Sequence, residues 1–112
     1  MPTVTPPFLC LYPAQQHALA AGVATDIDIP AGGARAVEVT LKNSGSTNAI
    51  TALTVTTIPL VTPGGARSVS DGIPLAAGAA LTTSITDEPC VTLRLTVTST
   101  SGTTATVEAV GL

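Results

Sequence analysis

The stretch VEVTLKNSGSTNAITALTV, residues 37–55, decides the fold of this 112-residue chain. Apolar and polar side chains alternate from Val37 to Lys42, Asn43-Ser44-Gly45-Ser46 interrupts the run, and Thr-rich β-branched residues resume at Ile50. A two-residue period broken by Asn, Ser and Gly is typical of antiparallel strands that are buried on one face. The stretch therefore predicts two strands and the turn between them.

Similar patterns recur along the chain, with turn signals every 8 to 12 residues or so. We expect seven strands, at residues 23–29, 35–42, 49–58, 66–70, 79–86, 91–99 and 103–110. This spacing predicts an all-β fold, an antiparallel sandwich. In the sixth strand a slip of one residue would bury Arg94 and three threonines, so its register is well determined. We expect the sixth and seventh strands to form a hairpin through the turn at residues 100–103.

The segment before the first expected strand has a different character. We assign residues 1–22 to an extended, Pro-rich N-terminal arm and residues 23–112 to the sandwich domain. Residues 13–20 favour a short helical turn, since Ala, Gln and Leu have good helix propensity. The segment lacks the charged start and apolar run of a secretion signal, and no apolar run approaches the roughly 18 residues needed to cross a bilayer. We expect a product made in a cytoplasm, or a mature domain cut from something larger.

The composition limits both the core and the partners. The chain has no Trp, and Phe8 and Tyr12 are its single Phe and Tyr, so small aliphatic side chains must fill the interior. Only 10% of the residues are charged, with a net charge of −3, and the weakly charged surface resists association poorly. Binding a nucleic acid requires clustered basic residues, and here these are scattered singly. The basic residues are Arg35, Lys42, Arg67 and Arg94.

A short sequence motif that includes two of these arginines occurs twice. Gly-Gly-Ala-Arg occurs at residues 32–35 and again at residues 64–67. A structural repeat is one interpretation, although no third copy exists and the flanks diverge. The simpler interpretation is a Gly-Gly turn that starts a strand in both places. It places Arg35 and Arg67 at strand entrances, facing solvent or a partner.

Two longer segments carry a resemblance to a known family. IPAGGARAVEVTLKNSGSTNAITALTVTT, residues 29–57, and IPLAAGAALTTSIT, residues 73–86, resemble bacterial and viral immunoglobulin-like modules. In those modules a strand ending in Lys-Asn-Ser/Thr-Gly leads to a Thr/Val-rich strand, and a Pro-Leu-x-x-Gly turn introduces a later one. The paired Cys and core Trp of antibody domains are absent. The resemblance covers about half of the chain and implies an immunoglobulin-like β-sandwich.

Small stand-alone modules of this kind resemble bacteriophage capsid decoration (cement) or tail accessory proteins. The resemblance implies a non-enzymatic structural protein of a virus particle, made in the host cytoplasm. It also implies binding to the major capsid protein or another virion protein, and a homo-oligomeric or lattice-bound state. The residues we expect to contact the partner are Phe8, Leu9, Leu11, Tyr12, Arg35 and Arg67. The alternative is a cell-surface adhesion or carbohydrate-binding module, in which Phe8 and Tyr12 would have to stack on the sugar rings.

Catalytic and cofactor sites are not expected. His17 is the single histidine, and a catalytic set would have to combine it with Cys10 or a serine. We place it in the arm, outside any strand, so we expect no enzyme. Two cysteines 80 residues apart and one histidine match no zinc-ligand spacing.

Carboxylates and cysteines leave two alternatives open. Asp26 and Asp28 share a strand face and Asp87-Glu88 precedes Pro89; brought together they could bind Ca²⁺, although solvated carboxylates explain them more simply. A disulfide between Cys10 and Cys90 would tie the arm to the sandwich domain and stabilise the folded chain by about 4 kcal/mol. We favour unbridged thiols, because assembly in a cytosol argues for reduced cysteines, and a free Cys is commonly buried as a small apolar residue.

Overall fold

A computed structural model describes residues 9–32, 36–58, 66–85 and 91–111. These residues form eight β-strands and no helix. The strands are β1 (Leu9–Leu19), β2 (Thr25–Pro30), β3 (Val37–Asn43), β4 (Ala52–Ile58), β5 (Ala66–Ser68), β6 (Ala80–Ile85), β7 (Thr92–Thr98) and β8 (Thr103–Gly111). Within the described ranges, no helix has the length and apolar character that crossing a bilayer requires.

The eight strands form two antiparallel four-stranded sheets. The first sheet has the order β1-β8-β3-β6 and the second the order β2-β7-β4-β5. The first four strands therefore pair with the last four in reverse: β1 with β8, β2 with β7, β3 with β6 and β4 with β5. A long hairpin wrapped in this way into two sheets is a jelly roll. Because β1 contacts β2, the strands β5 and β6 lie at the opposite side of the sandwich.

The predicted all-β sandwich is confirmed, and each of the seven predicted strands is present with its ends shifted by at most three residues. The topology differs from the expectation in two respects. The sixth and seventh predicted strands do not form a hairpin, because β7 and β8 belong to different sheets. In an immunoglobulin sandwich the first two strands are neighbours in one sheet, whereas here β1 and β2 lie in different sheets.

The eighth strand is formed by residues that we assigned to the arm. Residues 9–19 are the edge strand β1, which pairs with β8 from Leu9↔Gly111 to Leu19↔Thr103. The helical turn expected at residues 13–20 is therefore wrong, because pairing with β8 outweighs the local helix propensity. Residues 1–8 of the expected arm lie outside the described residues.

Inward-pointing side chains of both sheets form one continuous core. It consists of small aliphatic residues, as the composition required, and Leu11 and Tyr12 pack against it at one side. The outward-pointing residues of the strands are mostly exposed or half-buried. The residues of this core are Leu19, Ile27, Ile29, Ala31, Val37, Val39, Leu41, Ile50, Leu53, Val55, Leu75, Ile85, Leu93, Leu95, Val97, Ala105, Val107 and Ala109.

A buried asparagine closes one end of the sandwich. The Asn43 side-chain amide donates to the backbone carbonyls of Asn48 (2.8 Å) and Leu75 (2.9 Å). Its carbonyl oxygen accepts from the Gly45 N–H (3.1 Å) and the Thr103 hydroxyl (2.9 Å). A Cβ atom at Gly45 would overlap the Thr103 hydroxyl, so only glycine fits this close approach. The turn predicted at residues 43–46 is thereby fixed to the start of β8.

Candidate functional site

The described residues among those predicted to contact a partner lie at two different sides of the sandwich. Leu11 and Tyr12 lie on β1, at one side of the sandwich, whereas Arg67 is an exposed residue of β5 at the opposite side. The Leu9 backbone pairs with Gly111 in β1, and nothing further is described of its side chain. Phe8 and Arg35 lie outside the described residues. The described residues of the predicted set therefore do not form a single partner-binding patch.

The part of β1 that carries Leu11 and Tyr12 pairs irregularly with β8. The pairing of β1 with β8 shifts register between Cys10 and Tyr12 and again between Tyr12 and Gln15. Pro13 lies inside the second shift; a proline has no N–H to donate, so it is tolerated at an edge strand or a bulge. Leu11 and Tyr12 turn partly toward the core as a result and are half-buried. Their side chains stabilise the sandwich as well as contributing to its surface.

Tyr12 and His17 form a side-chain pair across the irregular part of β1. The Tyr12 hydroxyl lies 2.9 Å from Nε2 of His17, and the two rings stack with centroids 6.1 Å apart and an interplanar angle of 16°. His17 is opposite Ala105 of β8, so the expectation that it lies outside any strand is wrong. The hydroxyl–imidazole hydrogen bond links the residues on both sides of the shift at Pro13, and both side chains are half-buried.

The two strand aspartates that were considered as calcium ligands have protein partners. Arg94 donates from Nε to Oδ1 of Asp28 (2.8 Å) and from its terminal nitrogen to Oδ2 (3.2 Å). The Thr96 hydroxyl donates to Oδ1 of Asp26 at 2.7 Å. These hydrogen bonds cross between the neighbouring strands β2 and β7 on the outer face of the second sheet.

The Asp28–Arg94 contact alters the ionisation of both groups. The hydrogen bond from Arg94 is the main cause that lowers the pKa of Asp28; desolvation of the carboxylate opposes it, and the positive charge of Arg94 adds a smaller lowering effect. The same contact raises the pKa of Arg94. In the described part of the chain no three His, Cys, Asp or Glu side chains are grouped so that they could hold a metal ion. The other two carboxylates of the calcium hypothesis, Asp87 and Glu88, lie outside that part.

Cys10 is an exposed, unbridged thiol on the edge strand β1. The expectation that an unpaired cysteine would be buried as a small apolar residue is therefore wrong for this position. Cys10 is opposite Val110 on β8, and its alternation with the inward-facing residues places it on the outer face. Cys90 lies outside the described residues.

The sheet edges are the surface features that the sequence did not identify. The strand order leaves β1 and β6 at the edges of the first sheet, and β2 and β5 at the edges of the second. An edge strand presents unpaired backbone N–H and C=O groups to any strand that approaches it. The one local signal was the absence of charge and proline from residues 79–85, which becomes informative only when the strand is known to be an edge.

No protein-family model matches the chain, and no curated protein is significantly similar to it.

Proposed function

We propose that this chain is a non-enzymatic structural protein of a virus particle, a bacteriophage capsid decoration protein or another accessory protein that binds the assembled shell. The immunoglobulin-like resemblance first pointed to this class, and the jelly-roll order supports it independently, because jelly rolls are common in viral capsid domains. A fold by itself accommodates many functions. The surface chemistry therefore has to carry the proposal.

The observation that carries it is the outer face of the second sheet. Over β4 and β7 this face is built mainly from uncharged threonines, which are half-buried and regularly spaced. Covering a charged group requires its removal from water at a cost of several kcal/mol, whereas a hydroxyl needs only one replacement hydrogen bond. The threonines are Thr54, Thr56, Thr92, Thr96 and Thr98. Such a face suits burial against a protein lattice.

The charged residues described on this face have partners in the same sheet. Asp28 and Arg94 form a two-point ion pair, and Asp26 accepts a hydrogen bond from Thr96. A partner that covers the threonines of β4 therefore does not have to neutralise these charged side chains. We infer that a capsid or other virion protein contacts the chain over β4 and β7.

A binding experiment on particles tests this proposal. Particles that lack the chain are mixed with purified protein and separated on a density gradient, and the bound chain is quantified by mass spectrometry. We expect saturable co-sedimentation, and a loss of affinity of roughly tenfold or more for Thr54→Lys, which places an unpaired charge in the contact. Gln16→Lys, an equal charge change on the first sheet, should bind like the wild type. Failure of the wild type to co-sediment would contradict the proposal.

The alternative, a carbohydrate-binding adhesion module, is favoured by one feature of β1. Jelly rolls also occur in lectins, and the half-buried Tyr12 ring stacks beside His17 on an edge strand. Sugar rings commonly bind aromatic faces. Specific signals on a glycan array that Tyr12→Ala abolishes would favour this function over particle binding.

A further inference from the structure

Three of the four edge strands carry features that prevent another strand from pairing with them. β1 contains Pro13 and two register shifts, β2 has the exposed Asp26 and Asp28 and ends at Pro30, and β5 is three residues long. Irregular pairing, charge, proline and short length are the usual means of protecting a sheet edge. The fourth edge, β6, has none of them.

β6 is a regular edge with a neutral surface. All six of its residues, ALTTSI, pair with β3 without a register shift, from Ala80↔Lys42 to Ile85↔Val37. None of the six is charged and none is proline. Ala80, Thr82 and Ser84 are exposed. The strand is therefore suited to accept a further strand.

The hydrogen-bond pattern shows which groups of β6 face outward. The Asn43 N–H donates to the carbonyl of Ala79 at 2.9 Å, immediately before β6 begins. Hydrogen-bonded and non-hydrogen-bonded pairs alternate along an antiparallel ladder. Ala80, Thr82 and Ser84 therefore belong to non-hydrogen-bonded pairs with β3, and their N–H and C=O groups point to the open edge.

The side chains agree with this assignment. The Thr82 hydroxyl lies 3.3 Å from the hydroxyl of Thr40, its partner on β3. Side chains of non-hydrogen-bonded pairs are the closer ones in an antiparallel ladder. The outward-facing backbone groups thus belong to the residues whose side chains are on the outer face of the sheet.

We propose that β6 pairs with β6 of a second copy of this chain, antiparallel and centred on Thr82. A two-fold axis through Thr82 places each Ala80 opposite Ser84 of the second copy, and Thr82 opposite Thr82. All three positions then form hydrogen-bonded pairs from groups that already face outward. The result is a continuous eight-stranded sheet with the order β1-β8-β3-β6-β6-β3-β8-β1.

Charge complementarity favours a second copy as the occupant. On β3, Lys42 is the neighbour of Ala80 and Glu38 is the neighbour of Ser84, and both charged side chains are exposed. In the proposed register, Lys42 of each copy lies in one row with Glu38 of the other. Their backbones are about 14 Å apart, three strand spacings, and the small Ala80 and Ser84 between them leave room for the long side chains to approach. The two-fold symmetry makes this attraction occur twice.

This proposal specifies the homo-oligomeric state that the sequence resemblance implies, and it concerns a different surface from the proposed particle binding. Pairing through a five-residue edge buries less than the roughly 1,200 Å² of a stable interface, so the dimer is weak in solution and gains from high local concentration on a particle. Particle binding is assigned to β4 and β7 of the other sheet. Each proposal can therefore fail in its own test while the other still holds.

Sedimentation velocity over a wide range of concentrations tests the pairing, in reducing buffer because Cys10 is an exposed thiol. We expect a monomer–dimer equilibrium that Thr82→Lys weakens roughly tenfold or more, since two like charges would face each other at the axis. Thr82→Glu should weaken it similarly, and an equimolar mixture of the two variants should restore dimers. Thr54→Lys, the matched control, should dimerise like the wild type. A wild type that stays monomeric, or a dimer indifferent to Thr82→Lys, would overturn the proposal.

Hydrogen exchange resolves the pairing to single amides. The N–H groups of Leu81 and Thr83 already bond to β3 and should be protected at every concentration. Those of Ala80, Thr82 and Ser84 should become protected only as the dimer forms. Concentration-dependent protection on β2 or β5 instead of on these three amides would contradict an edge contact through β6.

Discussion

At the scale of single residues, Asn43 shows how one buried polar side chain fixes the loops at one end of the sandwich. It is fully buried, and all of its side-chain hydrogen-bonding groups have partners. Replacing Asn43 by alanine leaves the carbonyls of Asn48 and Leu75 without their donor, and each unsatisfied buried group costs about 1–3 kcal/mol. We predict that Asn43→Ala lowers the free energy of unfolding by about 3 kcal/mol, measured by urea denaturation.

The control for this prediction is a neighbouring asparagine. Asn48 is half-buried, and its side-chain amide donates to the Gly102 carbonyl at 2.8 Å. Asn48→Ala should lower the free energy of unfolding by about 1 kcal/mol, the usual value for one hydrogen bond. Equal losses in the two variants would show that burial of the Asn43 amide is not what stabilises this end.

The Asp28–Arg94 pair predicts a pH-dependent effect. The pKa of Asp28 is lower in the folded chain than its ordinary value of 3.8, so the folded state binds fewer protons in this range. The stabilisation is present above the ordinary value and is lost as the pH falls through the lower, folded value. Asp28→Asn should therefore reduce stability slightly at pH 7 and by less at pH 2, as measured by urea denaturation. The effect is small because 36% of the Arg94 side chain and 51% of the Asp28 side chain are exposed.

A double-mutant cycle separates the pair from its surroundings. Arg94→Gln should cost little further stability when Asp28→Asn is already present. A deficit of Asp28→Asn that is the same at pH 7 and pH 2 would show that the carboxylate charge makes no contribution.

At the scale of strands, β1 is the element whose role differs most from the expectation. Leu19 at its end is buried in the core, whereas Gln16 three residues earlier is exposed. We predict that Leu19→Ala lowers the free energy of unfolding by about 3 kcal/mol, the usual loss for a buried leucine. Gln16→Ala should change it by less than about 0.5 kcal/mol. Urea denaturation of the two variants and the wild type measures both changes.

A truncation provides the corresponding test for the whole strand. Removing residues 1–20 deletes all of β1, including Leu19, and exposes β8 as a new edge. We expect the shortened chain to unfold at a clearly lower urea concentration than the wild type. A truncated chain as stable as the full one would mean that residues 9–19 are an attached arm and not part of the sheet.

The physical reason why β1 was missed lies in its own sequence. LCLYPAQQHAL contains a proline and lacks a two-residue alternation, because the register shifts on either side of Tyr12 break the period. It is a strand only through its contact with β8, which is about 90 residues away along the chain. The other seven strands were predicted from local sequence, and all of them except the three-residue β5 show a largely two-residue period.

The connection from β7 to β8 shows a second limit of local sequence. The turn at residues 100–103 has the composition of a hairpin turn, and Gly102 has the positive φ of 86° that such turns use. Asn48 and Asn43 nevertheless bind this turn and the start of β8, and the chain crosses there from one sheet to the other. A turn signal specifies a reversal of direction but not the sheet that receives the next strand.

At the scale of the whole molecule, the surfaces depend on the strand order. The sequence correctly predicted a core of small aliphatic side chains. It could not predict that Leu11 and Tyr12 lie at the opposite side from Arg67, or that Arg94 reaches Asp28 across 66 residues. It also could not show that β6 is an edge. These relations follow from non-local pairing, which local periodicity does not encode.

The same order supports both proposals, because it defines the face over β4 and β7 and places β6 at the edge of its sheet. The measurement that tests it most directly is the set of cross-strand nuclear Overhauser effects in a labelled sample. We predict contacts between the Hα atoms of Leu41 and Val107 and of Val39 and Ala109, where β3 lies beside β8. A regular series of backbone contacts between β7 and β8, with none between β3 and β8, would contradict the jelly roll and the surfaces derived from it.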